Sequence, residues 1–242
     1  MTKKTITSLI LNTLAAAVLL PVVAAASDAD GFKSLFNGKD LTGWDGNPEL
    51  WSVQDGAIVG QTTREKPTKG NTFLIWQGGD LKDFELHASV KIESGNSGVQ
   101  YRSKNLGTWA MAGYQCDVRT PAYDRADPKN CTGKIYSERE GRGQMAFGGE
   151  KAVYNKDGKK EEVGQVNEVE KITKALDQDQ WQELVIIAKG NRIVQKVNGE
   201  TVCELTDEEE AKRALSGQLG LQIHAGNPMK VSFKDVQLKE LK

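Results

Sequence analysis

The chain has 242 residues and a formal net charge of −1, from 32 Lys+Arg against 33 Asp+Glu. That balance excludes a protein built around a nucleic-acid backbone, which carries a clear basic excess. With 38% hydrophobic and 27% charged residues it is neither a disordered tail nor a membrane bundle. The 25 Gly and many short apolar runs lean toward an all-β domain rich in turns.

The chain opens on Lys3 and Lys4, an apolar stretch over residues 5–23, and Ala24-Ala25-Ala26. This is the three-part layout of a secretory signal peptide. Thr5, Thr7, Ser8, Asn12 and Pro21 dilute the apolar run, so cleavage after Ala26 is expected rather than a retained anchor. No Cys follows the cleavage point, and lipid attachment is not expected there. Residues 1–26 are thus read as a signal peptide and 27–242 as a single, mildly acidic domain, periplasmic or secreted. After removal of the signal no association with a membrane is expected.

From there the sequence reads as strand after strand. Residues 51–59 form a hairpin with Asp55-Gly56 at the turn. Phe84, Leu86, Ala88, Val90 and Ile92 alternate with Glu85, His87, Ser89, Lys91 and Glu93, a period of two that marks a half-buried strand. Val99 and Tyr101 alternate with Gln100 and Arg102, and Tyr114, Cys116 and Val118 with Gln115, Asp117 and Arg119. Residues 140–162 form a polar insertion with a loop tip near Asp157-Gly158. A short helix is expected over residues 167–176. Leu184 to Ala188 is a continuous apolar run, and Asn198-Gly199 is a strong hairpin signal. Thr206-Asp207-Glu208-Glu209 reads as a capping box opening a second short helix toward Leu215. The chain closes on Leu219, Leu221 and Ile223 alternating with Gln222 and His224, then on a strand whose phase slips at Lys234-Asp235, as at a bulge. Many strands and few helices give a β-sandwich or jelly roll.

Three Cys are present, Cys116, Cys131 and Cys203. An exported protein meets an oxidising compartment, so two readings stand: a disulfide between Cys116 and Cys131, the nearest pair, stabilising by about 3 kcal/mol and leaving Cys203 free, or three isolated, buried thiols acting as small hydrophobes. There is no CxxC and no HxxxH, so zinc spacing is absent.

Strand alternation permits one functional inference. Opposite the core-facing residues stand Gln100 and Arg102; Gln115 and Asp117; Lys134, Tyr136 and Glu138; and Gln222 and His224. If these strands share a sheet, their side chains form one polar floor. Amides, carboxylates and aromatic groups suit a sugar, because each hydroxyl both donates and accepts. Glu85, His87, Lys91 and Glu93 read instead as a solvated outer face. Trp44, Trp51, Trp76 and Trp181 read as core, whereas Trp109, between Gly107 and Gly113, is the tryptophan best placed to meet a ligand.

At these residues the sequence resembles a known family. Residues 31–44 (GFKSLFNGKDLTGW), 96–103 (NSGVQYRS), 113–118 (GYQCDV), 133–138 (GKIYSE), 141–143 (GRG), 187–192 (IAKGNR) and 220–226 (GLQIHAG) resemble the 3-keto-disaccharide hydrolase domain family, also described as a 3-keto-glucoside 1,2-lyase and 3-keto-2-hydroxyglucal hydratase domain. The resemblance runs over about residues 32–241; Cys116, Cys131 and Asn227 depart from its pattern. It implies an all-β concanavalin-like jelly roll of two antiparallel sheets with one or two short helices and the ligand on the concave face. It also implies bacterial export and action on glycosides oxidised at C3.

The residue types fit that chemistry. A 3-keto group acidifies the C2–H; a base removes the proton, the C1 substituent leaves, and water adds back. Such a reaction needs a base, an acid, and a stabiliser for the enolate. Asp117, Glu138 and His224 are the candidates for base and acid. Gln100, Arg102, Trp109, Gln115, Lys134, Tyr136 and Gln222 are the candidates for binding substrate, and Arg102, Lys134 and Tyr136 among them for holding the oxyanion. A divalent metal ion held by His224 and a carboxylate stays open, without ligand spacing to support it. Two other readings stand beside this one: a two-carboxylate glycosidase using Asp117 and Glu138, and a carbohydrate-binding module without turnover. In each the partner is a glycoside or oligosaccharide and not a nucleic acid.

Overall fold

The computed structural model describes residues 30–176 and 180–242; the signal peptide read at residues 1–26 lies outside the described residues. The first strands are β1 (Lys33–Ser34), β2 (Trp44–Asp45), β3 (Trp51–Gln54), β4 (Ala57–Gln61), β5 (Thr72–Trp76) and β6 (Phe84–Ser94). Then follow β7 (Asn96–Gly107), β8 (Ala110–Arg119), the helix α1 (Pro121–Ala126), β9 (Ile135–Glu138), β10 (Gly143–Ala146), β11 (Glu150–Tyr154) and β12 (Lys160–Gln165). The helix α2 (Val169–Ala175) leads to β13 (Gln182–Lys189), β14 (Arg192–Val197), β15 (Glu200–Asp207), β16 (Gln218–Ile223) and β17 (Lys230–Glu240).

These strands form two stacked sheets. The larger runs β12-β11-β15-β14-β13-β6-β17-β4-β3, with β1 on β17, and the smaller runs β10-β9-β8-β7-β16-β5-β2. The named pairs are antiparallel except β11 with β15, which is parallel. The last two strands insert centrally, β16 between β5 and β7 and β17 between β4 and β6, so the two ends of the chain lock together. This is the expected jelly roll.

The core lies between the sheets and follows from the period-two pattern. Phe84, Leu86, Ala88 and Val90 of β6 meet Val99, Tyr101, Tyr114, Cys116 and Val118 of β7 and β8, all buried. Each fully buried Phe, Leu or Val among them contributes roughly 1.5–3 kcal/mol. The two core tyrosines satisfy their hydroxyls across the sandwich. Tyr101 meets the Gln195 amide at 2.6 Å, and Tyr114 donates to Asp207 Oδ2 at 2.5 Å. Arg142 lies 5.4 Å from the Tyr114 ring and 5.6 Å from the Tyr154 ring and pairs with the same Asp207.

The Asp55-Gly56 and Asn198-Gly199 hairpins form as read, joining β3 to β4 and β14 to β15. The phase slip near Asp235 is a bulge, with Asp235 at φ 51°. The polar insertion folds into β10, β11 and β12. Trp44, Trp51 and Trp76 are buried. Trp181 is half-buried, beneath Lys234.

Two expectations are corrected. No helix follows Thr206, because β15 runs on to Asp207, held between β14 and β11. The Asp207 carboxylate, read as part of a capping box, is spent on Arg142 and Tyr114. Nor are Cys116 and Cys131 bridged: all three cysteines are buried free thiols. Cys131 turns its sulfur onto Gly148, where an added Cβ would come within 2.8 Å, so it acts as a small packing group. Burial pushes its thiol up to about 12, and burial also raises Cys116 and Cys203.

Candidate active site

The face of the smaller sheet turned away from the core carries the polar floor. On β8, Gln115 and Asp117 alternate with the core residues Tyr114, Cys116 and Val118, yet they are only 2% and 5% exposed. Beside them, in register, β9 supplies Tyr136 opposite Gln115 and Glu138 opposite Gly113. On the other side β7 and β16 bring Gln100 and Gln222. The result is a cleft of about 320 Å³ lined by Gln115, Asp117, Lys134, Tyr136, Glu138 and His224, with Asn71, Asn96, Arg119, Asn130 and Gln144 as walls.

One chain of hydrogen bonds crosses the floor. Gln222 Nε2 donates to Gln115 Oε1 at 2.8 Å, and Gln115 Nε2 donates to Asp117 Oδ1 at 2.7 Å. Lys134 pairs with the other Asp117 oxygen and donates to Gln144 Oε1 at 2.6 Å. The Gln115 side chain lies across Gly98, which faces Asp117 in the β7–β8 pair; a Cβ at residue 98 would stand 2.5 Å from the Gln115 side chain. Asp117 and Lys134 are both buried, so each charge is compensated by the other.

Glu138 has a different setting. Asn71 Nδ2 donates to its two oxygens at 3.1 and 3.3 Å, and Arg139 lies 3.5 Å away at the rim. The Asn71 Oδ1 accepts from the Ala225 N–H at 3.0 Å, which ties Glu138 to the turn after β16. That turn carries His224, which is exposed. Its Nδ1 meets the Ala225 carbonyl at 2.6 Å. A carbonyl only accepts, so Nδ1 carries the proton and Nε2 is left for the cleft. Burial first, then the charges of Glu138 and Asp117, raise the Tyr136 phenol above its usual range, and it remains a donor at neutral pH. Two carboxylates are matched by Lys134 and Arg119, a balance suited to an uncharged polyhydroxy ligand.

Gln222 and Gln100 are fully buried on the floor beneath the cleft rather than along its wall. Arg102 is not on the floor, which corrects its expected place beside Gln100. The alternation breaks at a bulge between Tyr101 and Lys104, where Arg102 has φ 46°. Its guanidinium is buried at the end of the sandwich, paired with Asp83 at 3.0 Å and donating to the carbonyls of Lys82 and Gly190. Trp109 sits in the β7–β8 turn, its Nε1 donating to Asp45 Oδ1 at 3.0 Å, away from the cleft lining. That turn folds over the floor, where Met111, Phe73 and Ile75 form a small apolar cluster.

Asn71, Asn96, Arg119, Asn130 and Gln144 join the site without having been singled out. Arg119 was within reach, since it continues the Gln115-Asp117 alternation. The others come from loops or strand ends, where no periodicity exists. Among the described residues no three His, Cys, Asp or Glu side chains are grouped to hold a metal ion. A larger hollow of about 670 Å³ opens between β6 and β8 under α1. Its buried carboxylate, Asp124, has both oxygens engaged by Thr132, at 2.9 and 2.8 Å.

Residues 31–239 match the 3-keto-alpha-glucoside-1,2-lyase-like domain. The chain belongs to this family. A 3-keto-disaccharide hydrolase of Bacteroides thetaiotaomicron is 32% identical over 108 residues, which is 40% of this chain and 35% of that protein. The match thus spans about a third of the relative's length. A crystal structure of a candidate glycosyl hydrolase from Parabacteroides distasonis superposes with a TM-score of 0.58 at 19% identity, over 87% of this chain and 99% of that one. The carbohydrate-binding module CBM66 of Bacillus subtilis gives 0.52 at 15% identity, over 82% and 96%. A Bacillus subtilis protein with a galectin-like fold gives 0.56 at 12%, over 83% and 90%. These structural likenesses establish the jelly-roll fold. Among the described residues no helix is long and apolar enough to cross a membrane.

Proposed function

We propose that the protein cleaves 3-keto-glycosides in this cleft, by elimination across C1–C2 followed by hydration. The observation that carries the reading is the pairing of two unlike carboxylates on one buried polar floor, inside the family's matched region. Asp117 has both oxygens committed, to Gln115 and Lys134, and serves as a fixed counter-charge. Glu138 is held by the neutral amides of Asn71 and, at 3.5 Å, Gln222, with Arg139 at the rim, and among the described residues no buried cation pairs with it; it is the base for the C2 proton. Lys134 and the Tyr136 hydroxyl supply positive charge and a donor for the enolate oxygen, beside the buried Asp117, where preorganised donors act more strongly than in bulk water.

The balance is simple. Glu138 takes the C2 proton, the C2–H electrons form the C1=C2 bond, and the C1–O bond breaks with its pair going to the leaving oxygen. His224, having taken a second proton from solvent on Nε2, gives that proton to the leaving oxygen, and its Nε2 is reprotonated by the water that adds in the hydration step. Water then adds to C1 and a proton returns to C2, giving net hydrolysis. The 3-keto group is required because without it the C2–H is not acidic.

Incubating the protein with a 3-keto-glucoside and with its unoxidised parent tests this. Turnover of the keto compound alone is expected; turnover of the parent would favour a two-carboxylate glycosidase, and binding without turnover a carbohydrate-binding module. We also propose export to the periplasm on the strength of the leader. Intact mass from that fraction is expected to begin near Ser27, and a full-length, membrane-held chain would contradict it.

A further inference from the structure

The cleft does not end at His224. A second hollow of about 350 Å³ opens beyond it, and the two share Asn96, Arg119 and His224 as a common wall. Their chemistry differs. The first holds the carboxylates and Lys134, whereas the second adds Tyr123 and Asn227 and no carboxylate. Tyr123 is 54% exposed despite its large ring. The Arg119 guanidinium stands 5.2 Å from that ring's centroid and is itself anchored to the Asn130 carbonyl. The ring is therefore steadied from one side while much of it stays open to solvent. A held aromatic ring beside the amides of Asn96 and Asn227 offers what a pyranose needs: an apolar surface for the C–H face and mixed partners for the hydroxyls.

We propose that the second hollow is the leaving-group subsite and takes a pyranose ring, joined through its glycosidic oxygen to the 3-keto sugar on the floor. This rests on the function proposed above. It places the bond to be broken at the shared wall, where His224 Nε2 is the unengaged ring nitrogen. The backbone N–H of His224 donates to Met229 Sδ at 3.1 Å, which steadies the turn from below. As the C1–O bond breaks, the leaving oxygen takes the proton from Nε2, and the released sugar departs through the open second hollow.

The test compares wild type, Tyr123→Ala and Tyr123→Leu on a 3-keto-disaccharide and on methyl 3-keto-glucoside. Calorimetric binding of the unoxidised disaccharide and methyl glucoside runs in parallel. Each variant is expected to lower the disaccharide-to-methyl ratio of kcat/KM about tenfold, the scale of one lost pocket contact, and to weaken disaccharide binding more than methyl glucoside binding. Equal changes on both partners, or none, overturn the subsite, and continued turnover then leaves the proposed reaction standing. Selective loss of disaccharide binding without turnover of either keto compound by wild type supports the subsite and removes the reaction.

Discussion

Strands β6 and β8 alternate apolar and polar side chains in the same way, and their polar halves meet different fates. On β6, Glu85, His87, Ser89 and Lys91 are half-exposed. His87 pairs with Glu85 at 2.8 Å and lies 3.6 Å from Glu183, while Ser89 reaches Asp235 at 3.1 Å. These are rim contacts in water, worth little. On β8, Gln115 and Asp117 are sealed from solvent and locked to Gln222 and Lys134. Period two names the face of a strand; whether that face is solvated depends on what the rest of the chain lays over it. Around the β8 floor stand Gln144 of β10, Asn71 ahead of β5 and His224 in the turn after β16.

The largest effects are expected from breaking the floor of β8 and β9. Glu138→Gln and His224→Ala should each lower turnover of a 3-keto-glucoside about 100- to 10,000-fold, as for a lost positioned acid or base, with little change in melting temperature. Asp117→Asn should match that loss and also destabilise by about 3–5 kcal/mol, because it leaves Lys134 buried without its partner charge. Steady-state kinetics and denaturant melts separate the two behaviours. The losses should be non-additive, since the groups serve one transition state.

Gly98→Ala sharpens the contrast through packing alone. The new methyl meets Gln115 and should cost about 1–3 kcal/mol, with a fall in kcat as Gln115 is pushed from Asp117. An equal melting temperature and equal kcat would mean that Gln115 has another place to lie.

Asp124 extends the comparison to a buried carboxylate that is satisfied by Thr132 instead of a lysine. Burial pushes it up from 3.8 to about 6. Between those values the native protein binds more protons than the unfolded chain, so stability falls as pH rises through this window. The loss is on the order of 2–3 kcal/mol. Urea melts from pH 4 to 7 should show this decline, and Asp124→Asn should flatten it.

The smallest effects belong to β6. Glu85→Gln and His87→Ala should leave turnover within about twofold and stability within about 0.5 kcal/mol, as at ordinary surface positions. A large loss of turnover there would erase the distinction between the two strands.

The sequence made the jelly roll legible because the strands β6, β8 and β16 alternate with period two and the Asp55-Gly56 and Asn198-Gly199 turns fix two hairpins. It made the floor legible for the same reason, at Gln115, Asp117, Tyr136, Glu138 and Gln222. It failed at Arg102, where a bulge resets the phase, and at residues 206–215, where a capping pattern serves an ion pair with Arg142 instead. The walls of the cleft were out of reach, because Asn71, Asn130 and Gln144 are brought in by long-range pairing that no local pattern encodes. The Cys116–Cys131 bridge was drawn from proximity in sequence; in space Cys131 packs on Gly148.

The central claim is that the floor of β8 and β9 removes the C2 proton of a 3-keto sugar. Following the C2–H signal of a 3-keto-glucoside by NMR in D2O measures that step directly. Wild type should wash the proton out during turnover, and Glu138→Gln should slow the loss about 100-fold or more, while Glu85→Gln behaves as wild type. Undiminished C2 exchange in Glu138→Gln, or turnover by wild type that retains the C2 proton in the product, would contradict the account.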